Sequence, residues 1–390
     1  MQLNYETHII DFSNCEKNER HGRYGGQEGD KDGISYNDEY WIVKFPKNTR
    51  RMKGNNLPKY TTSPLSEYIG SHIYEILGFD THKTLLGKRN DKIVVACKDF
   101  QQHLGDIAEV RTLKNGANKE IESQIDKELS TSITGDNVNL NELFIHFKLN
   151  PLLSDEKIEQ HFWNMVVIDI FIDNNDRNNG NWGLLYDEKE RGYKIAPVYD
   201  NGNAFYAKTN DETLEKYIND GTLAIRATGS GTIYSYDDHI LTAKKMLKQD
   251  FDGLKDAIIR NVPNIERHFE DIKKFIQNIP NEYDGLEVCS DIRKDVYIKS
   301  LKIRFDELLL PVYHQLLNDI KTNTDNIHKN TENISQKKDG NTTVNKNFSD
   351  QNEADEVVTN SEKRNDDNVM FEFSEAVKTL SENIVEKGIS

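Results

Sequence analysis

Residues 171–183 read FIDNNDRNNGNWG and directly follow FWNMVVIDI, one of the most apolar stretches of the chain. Apolar residues cover nearly every face from Phe162 to Ile172, which predicts a helix buried in the middle of a domain. Asn and Asp usually mark a turn or a solvated loop. A polar loop anchored to a buried element is also a common place for binding and catalytic groups. The choice between these interpretations depends on what the rest of the chain brings to the loop.

Two short strands are predicted after this loop, WGLLYD at 182–187 and YKIAPVYD at 193–200. The turn sequence DEKERG between them predicts an antiparallel hairpin. Asn181 lies at the entry to the first strand and Asp200 at the exit of the second. Because neighbouring strands are roughly 4.8 Å apart, the hairpin would bring these two residues side by side.

The polar residues at this end of the hairpin match a kinase pattern. Asp176 and Asn181 have the D-x-x-x-x-N spacing of a kinase catalytic loop, and Asp200 opens the D-x-G sequence of a metal-binding segment. Mg²⁺ prefers hard oxygen ligands, such as one or two carboxylates together with phosphate oxygens. Asn181 and Asp200 are therefore candidate Mg²⁺ ligands, and Asp176 is the candidate residue that orients and deprotonates a hydroxyl. A plain Asn-rich loop is the alternative. A calcium loop is excluded, because no glycine stands at its sixth position.

A lysine and a glutamate suited to a nucleotide precede the loop. Lys44 lies in the strand-type run YWIVKFP at 40–46, and Glu67 lies near the start of a helix predicted over 62–78. In kinases a strand lysine reaches the ATP phosphates and a helix glutamate holds it in place. Glu75 is an alternative partner for the lysine. An exposed strand lysine and an ordinary first-turn glutamate are the simpler interpretations.

Two further segments would complete a nucleotide site. HGRYGGQEGDKDG at 21–33 is a glycine-rich loop whose backbone N–H groups are predicted to cover phosphates, with a plain hairpin turn as the alternative. KIVVACKDF at 92–100 is predicted to be a buried strand that ends in a hinge, where backbone groups bind adenine. The candidate nucleotide-binding residues of these two segments are Gly25, Gly26, Gln27, Cys97 and Asp99.

This order of segments resembles the HipA-type serine/threonine kinases and, more loosely, the phosphatidylinositol 3/4-kinase group. The matching segments are WIVKFPK followed by a helix that begins SEY, then IDIFIDNNDRNNGNWGLL, then YKIAPVYDNG. The resemblance has motif support over residues 20–205. It implies an α+β, two-lobed kinase-like fold and phosphorylation of a protein serine or threonine, autophosphorylation included, with ATP and Mg²⁺. By resemblance, the catalytic residues are Asp176, Asn181 and Lys44, and the metal ligands are Asn181 and Asp200.

The chain departs from the family pattern in three ways. Asn178 stands where the family often has His. The glycine-rich loop does not follow G-x-G-x-x-G, and it has no serine between Gly22 and Gly33, so regulation by phosphorylation of this loop is not predicted. The sequence also begins close to that loop, as in the compact members that lack an extra N-terminal subdomain. A toxin–antitoxin role is correspondingly less supported.

Four regions are predicted along the chain. They are an N-lobe over 1–100, a C-lobe over 101–320, a disordered linker over 321–365 and an amphipathic helix over 366–390. The linker is predicted from a low-complexity sequence that is nearly free of large apolar residues. The last helix is predicted from apolar residues spaced by three and four, and it would dock on its own domain, on a second copy or on a partner.

The composition limits the classes of partner. The chain has 390 residues, a net charge of −16, a pI of about 5.2 and a mean hydropathy of −0.76. A nucleic-acid partner is therefore not expected. No apolar run is long enough to span a bilayer, and the start of the sequence does not read as a signal peptide. Three scattered cysteines suggest a reducing compartment. We therefore expect a cytoplasmic protein without membrane contact, while export as an effector stays open.

Two other functions stay open at this point. A nucleotide-binding pseudokinase would keep the fold and act through the C-terminal helix. The same site would also serve phosphoryl transfer to a lipid, or the transfer of AMP instead of a phosphoryl group, since a fold does not determine the acceptor. The intact Lys44, Asp176, Asn181 and Asp200 favour a protein kinase.

Overall fold

The structure is a computed structural model. It describes residues 7–21, 31–50, 52, 57–133, 135–187 and 191–339, the last fifteen of these as backbone alone. The candidate phosphate contacts at Gly25, Gly26 and Gln27 lie outside the described residues, as does the helix predicted over 366–390. The chain through Asp325 forms one compact unit, and Asn326–Ser390 is grouped separately.

The first part of the compact unit is a five-stranded sheet. Its strand order is β1-β4-β5-β3-β2, with β1 parallel to β4 and the other neighbours antiparallel. Both tight hairpins of the sheet turn through an Asn-Asp pair with positive φ, Asn37-Asp38 and Asn90-Asp91. Two-residue hairpin turns of this kind need positive φ and favour such residues. The strands are β1 (Ile10–Asp11), β2 (Lys31–Tyr36), β3 (Glu39–Lys44), β4 (Thr84–Arg89) and β5 (Lys92–Lys98).

Helix α1 (Ser63–Ile76) packs on this sheet close to its predicted position. Pro64 lies in its first turn, where the missing N–H costs nothing. The predicted stripe of Leu65, Ile69, Ile73 and Leu77 is buried. Gly78 ends the helix with a φ of +86°, which favours glycine at this position.

The next segment contains helices and short strands before the buried helix. Helix α5 matches the predicted buried helix and is capped by Asp155, whose carboxylate accepts the N–H of Lys157 at 2.9 Å. It ends at Asp173 in the left-handed region, with a φ of 62°. The elements are α2 (Gln101–Leu104), β6 (Ile107–Glu109), α3 (Val110–Ile125), β7 (Val138–Asn139), α4 (Leu140–Leu149) and α5 (Glu156–Ile172).

The predicted hairpin follows the polar loop. Strands β8 (Gly183–Asp187) and β9 (Gly192–Ile195) pair antiparallel, and β6 pairs with the other edge of β8. The second strand is shorter than predicted, because Pro197 follows it and cannot donate to a ladder. Beyond the proline, the N–H of Val198 bonds the carbonyl of Asp80 at 2.9 Å. The chain thereby leaves the hairpin and joins the segment that connects α1 to β4.

The rest of the compact unit is largely helical. The longest helix wholly inside it, α9, packs against α5. The elements are α6 (Asp211–Asn219), α7 (Leu223–Thr228), β10 (Gly231–Tyr236), β11 (His239–Thr242), α8 (Ala243–Met246), α9 (Asp252–Gln277), β12 (Glu282–Tyr283), β13 (Leu286–Glu287), α10 (Asp291–Arg304), a π-helical turn (Phe305–Leu309) and α11 (Leu310–Asp339).

Helix α11 corrects the predicted start of the disordered linker. The sequence predicts the linker over 321–365, whereas the helix runs to Asp339. The prediction considered only how little apolar surface this segment can bury. It overlooked that no proline or glycine interrupts the chain between Pro311 and Gly340, so nothing in the backbone stops a helix that begins inside the compact unit. Within the described ranges, no helix is long and apolar enough to cross a membrane.

Candidate active site

Four of the candidate residues meet at one cavity of about 860 Å³, whereas Asn181 is not among the residues that line it. Lys44 ends β3 and Glu67 lies in the first turns of α1. Asp176 belongs to the polar loop after α5, and Asp200 follows the hairpin. All four side chains line the cavity, although they come from four separate parts of the chain.

Lys44 binds two carboxylates. Its Nζ lies 2.9 Å from Glu67 Oε2 and 3.0 Å from Asp200 Oδ1. Burial alone would lower the pKa of Lys44, but the two carboxylates outweigh it and hold that pKa well above the usual value. The pKa of Asp200 is lowered in turn, chiefly by the Lys44 charge. The predicted pairing of Lys44 with Glu67 is thus present, whereas Glu75 lies exposed on another face of α1.

Glu67 is held by groups that the sequence analysis did not identify. The side chain of Glu67 is 1% exposed, and its Oε1 lies 3.0 Å from His82 Nε2 and accepts the N–H of Asn201 at 3.1 Å. Burial alone would raise the pKa of Glu67, but Lys44 and then His82 hold it far below its ordinary range. His82 follows α1 at a distance from every motif, so only the folded chain reveals this contact.

Cys97 lies beside Glu67 and His82. The three side chains offer one possible metal-ligand atom each, and these atoms lie within 4.8 Å of one another. The Lys44 ammonium already supplies a positive charge to the carboxylate. Burial raises the pKa of the Cys97 thiol, which disfavours the thiolate that a metal requires. We therefore assign no metal to these three residues.

Asp200 has a backbone conformation that is uncommon for a residue with a side chain. Its φ is 61°, in the left-handed region. Such conformations cost free energy and persist where the surroundings determine them. Here the next residue, Asn201, donates its N–H to Glu67 and its side-chain amide to Ser71 Oγ at 3.1 Å. Helix α1 therefore holds the backbone on the C-terminal side of Asp200, and the carboxylate, 42% exposed, faces the cavity.

Asp176 and Asn181 are joined within the polar loop. The Asn181 amide donates from Nδ2 to the Asp176 carbonyl at 2.6 Å, which leaves its oxygen as the group available to a cation. Burial raises the pKa of the Asp176 carboxyl, and the Asp200 charge raises it further, while a hydrogen bond from Asn178 acts in the opposite direction. Asn178 Nδ2 lies 3.3 Å from Asp176 Oδ1. The residue that replaces the family histidine thus contacts the candidate base directly.

Arg177 organises the loop and was missed by the sequence analysis. This buried side chain forms two bonds to the Asp169 carboxylate, at 2.8 and 3.1 Å. Its other donors bind the carbonyl of Asn181 at 3.0 Å, the carbonyl of Tyr199 and the Asn201 side chain at 2.6 Å. One guanidinium therefore fixes both ends of the hairpin. Asp169 is a charged residue inside an apolar helix, which is the sequence signal for a buried cationic partner.

Lys31 is a second lysine at the cavity that the sequence analysis missed. It pairs directly with Lys44 across β2 and β3, and neighbours in register share a face of a sheet. Burial lowers the pKa of Lys31, and the Lys44 charge lowers it further. The two-residue turn at Asn37-Asp38 fixes this register, so the sequence already held the information needed to place Lys31 beside Lys44.

The predicted adenine contacts need a correction. Cys97 lies inside the sheet, paired with Ile42 on one side and Thr84 on the other, so its backbone cannot serve a ligand, and this prediction is wrong. Asp99 donates its N–H to the Tyr40 carbonyl at 2.8 Å, which removes the donor that adenine would need. The strand runs to Lys98, so Cys97 still belongs to the part of β5 that pairs on both edges. Neither residue is among those that line the cavity.

The sheet with one packed helix, followed by a largely helical part, is the architecture of protein-kinase-like enzymes. The chain is similar to the serine/threonine-protein kinase CtkA of Helicobacter pylori, with 33% identity over 315 residues that cover 77% of this chain and 90% of the relative. The crystal structure of a Helicobacter pylori proinflammatory kinase CtkA gives a TM-score of 0.67 at 29% identity, over 79% of this chain and 99% of that chain.

A second solved structure is more distant. The HipA–HipB–operator DNA complex of Shewanella oneidensis gives a TM-score of 0.46 at 14% identity, over 77% of this chain and 70% of that chain, too low to support an argument. No protein-family model matches the chain. The CtkA relative suffices: the chain belongs to the HipA-like serine/threonine protein kinase family. The predicted kinase-like α+β fold and the predicted serine/threonine kinase activity are thereby confirmed, while the roles of individual residues stay predictions.

Proposed function

We propose that the chain transfers the γ-phosphoryl group of ATP to a serine or threonine of a protein, its own chain included, with Mg²⁺ as the cofactor. The observation that carries this proposal is the position of Lys44. Its Nζ is held between Glu67 and Asp200 in a cavity that also contains Asp176. This arrangement supports the proposal, because a phosphate-binding lysine, an acidic metal ligand and a base would all need to reach one ligand.

The residues present fit a magnesium ion. Asp200 offers a carboxylate to the cavity, and the Asn181 amide, which donates from Nδ2 to the Asp176 carbonyl, keeps its oxygen as an acceptor. A carboxylate and an amide oxygen are hard donors of the kind Mg²⁺ prefers, with phosphate oxygens and water as its other ligands. When bound, Mg²⁺ neutralises charge on the phosphates.

The chain's own residues then have separate tasks. Lys44 and Lys31 bind phosphate oxygens, and Glu67 keeps Lys44 in place. Asp176 accepts the proton of the acceptor hydroxyl, as the hydroxyl oxygen bonds to the γ-phosphorus and the bond to the leaving ADP breaks. A raised pKa makes Asp176 a stronger base than an ordinary aspartate. Most of the rate gain is expected from positioning and from electrostatic stabilisation.

The test is the intact mass of the purified chain after incubation with ATP and Mg²⁺, beside Asp176→Asn and the control Asp250→Asn. Asp250 is 90% exposed and does not line the cavity. We expect mass gains in phosphate steps for the wild type and the control, and a loss of at least about a hundredfold in rate for Asp176→Asn. Gains the size of AMP would instead establish nucleotidyl transfer.

A second readout separates an enzyme from a binding module. ATP with Mg²⁺ should raise the melting temperature of the wild type and of Asp176→Asn, because this substitution removes the base and keeps Lys44 and Asp200. Lys44→Met should abolish the shift. A shift without phosphoryl transfer to the chain itself or to casein would contradict the proposal and favour the pseudokinase.

A further inference from the structure

The cavity extends beyond the four candidate residues to a group of exposed cations. Lys47 and Arg50 follow β3, and Lys208 lies in the segment after Asp200. All three line the cavity, together with Lys44, Asp176 and Asp200. In the ranges that the structure describes, none of these three cations forms an ion pair, whereas Lys44 is paired with two carboxylates. We call Lys47, Arg50 and Lys208 the basic rim.

The basic rim belongs to a local reversal of charge. Between Phe45 and Ser66 the sequence has five basic residues and no acidic one, in a chain with a net charge of −16. The remaining chain is therefore even more acidic than the total suggests. A positive segment in a negative protein creates a field that attracts anions to this position.

The rim lies near the candidate base. The charges of Lys208 and Lys47 both lower the pKa of Asp176, so both ammonium groups act on the carboxylate that would receive the acceptor proton. The phosphates have lysines of their own in Lys44 and Lys31, on neighbouring strands. A peptide whose hydroxyl approaches Asp176 would place its flanking residues along the rim.

Resting on the proposed function, we propose that the kinase selects acceptor peptides with Asp or Glu beside the phosphorylated serine or threonine, and that Lys47, Arg50 and Lys208 bind these carboxylates. The rim provides three cations to one segment of peptide. Each contact between exposed charges is modest, so we expect a combined preference of about tenfold in kcat/KM over a neutral peptide. The preference should weaken as the salt concentration rises.

The test is a peptide library with fixed Ser or Thr and degenerate flanking positions, phosphorylated by the wild type and by Lys47→Glu/Arg50→Glu/Lys208→Glu. We expect enrichment of Asp and Glu by the wild type and enrichment of Lys and Arg by the triple variant. Lys59→Glu is the matched control, because Lys59 is an exposed cation of the same segment that does not line the cavity. The control should keep the wild-type preference, and all three proteins should keep the same KM for ATP.

Other outcomes overturn the proposal. If the wild type enriches no charged residue at the flanking positions, or enriches Lys and Arg there, an acidic acceptor peptide is excluded. A rise in the KM for ATP in the triple variant with an unchanged peptide preference assigns the rim to the nucleotide. Autophosphorylation without phosphorylation of any library peptide excludes recognition of short acidic sequences. The absence of phosphoryl transfer both to the library and to the chain itself would mean that the proposed kinase function has failed, which is a separate result.

Discussion

Replacement of Arg177 is the sharpest test of how the site is assembled. Arg177→Met keeps an unbranched buried side chain but removes the guanidinium that binds Asp169 and both ends of the hairpin. Asp169 would keep two of its donors, Tyr74 Oη at 2.9 Å and Asn174 Nδ2 at 3.1 Å. Loss of one partner of a buried ion pair costs about 3–5 kcal/mol. The retained donors reduce this cost, while the carbonyls left without a donor add to it. We therefore expect Arg177→Met to lower the free energy of unfolding by about 4 kcal/mol.

The assay is urea denaturation of the wild type, of Arg177→Met and of Arg177→Met/Asp169→Asn. The double variant has no uncompensated carboxylate, so it should regain about 2 kcal/mol relative to Arg177→Met. Kinase activity should fall in both variants under conditions where they are folded, because the carbonyl of Asn181 loses its anchor in each. A cost below about 1 kcal/mol for Arg177→Met, or a double variant no more stable than the single one, would show that the ion pair is not what holds the loop.

Four further predictions concern single residues. In acid denaturation, Glu67→Gln should lose less stability than the wild type below about pH 4.3. The Lys44 ammonium and the His82 imidazole depress the pKa of Glu67 against the effect of burial. The Glu67 carboxylate therefore stabilises the fold above that pH, and this contribution is lost as the pH falls through the depressed pKa. Gly70→Ala should cost about 1–3 kcal/mol in urea denaturation, because its Cβ would lie 2.7 Å from Asn201 Cβ. Gly116→Ala, in α3 with no neighbour within 4 Å, should be neutral or stabilising. In the pH profile of kcat/KM, the apparent pKa on the acid side should lie above the usual aspartate range, because burial raises the pKa of Asp176. An apparent pKa in the usual range would contradict the role of Asp176 as the base.

Much of the fold could be predicted, because it depends on local signals. The helix with Leu65, Ile69 and Ile73 on one face, the uniformly apolar α5 and the turn between β8 and β9 each carry their own pattern. The Lys44–Glu67 pair was predictable from the order of strand and helix. The predicted hinge contact at Cys97 is wrong, because an apolar run does not show which of its residues has free backbone groups.

Other features depend on contacts between distant residues and leave little trace in a single sequence. His82 reaches Glu67 only because α1 and β4 pack on each other, and the spacing of fifteen residues between them has no periodic meaning. Asp169 is different, since a carboxylate inside an apolar helix demands a partner. A search for the nearest cation in the following loop would have found Arg177.

The position of Arg177 also explains why a polar loop can serve as a rigid site. A loop of Asn and Asp has few apolar contacts, and its backbone would ordinarily be mobile. Here one buried cation satisfies the carboxylate of the helix before the loop, the carbonyl of Asn181 at its end and the carbonyl of Tyr199 just before Asp200. The charge that makes Asp169 costly to bury is thus compensated by the same group that binds the backbone of Asn181 and of Tyr199, the neighbour of Asp200. A single side chain therefore serves both the core and the two candidate cation ligands, and a substitution there is expected to impair stability and phosphoryl transfer together.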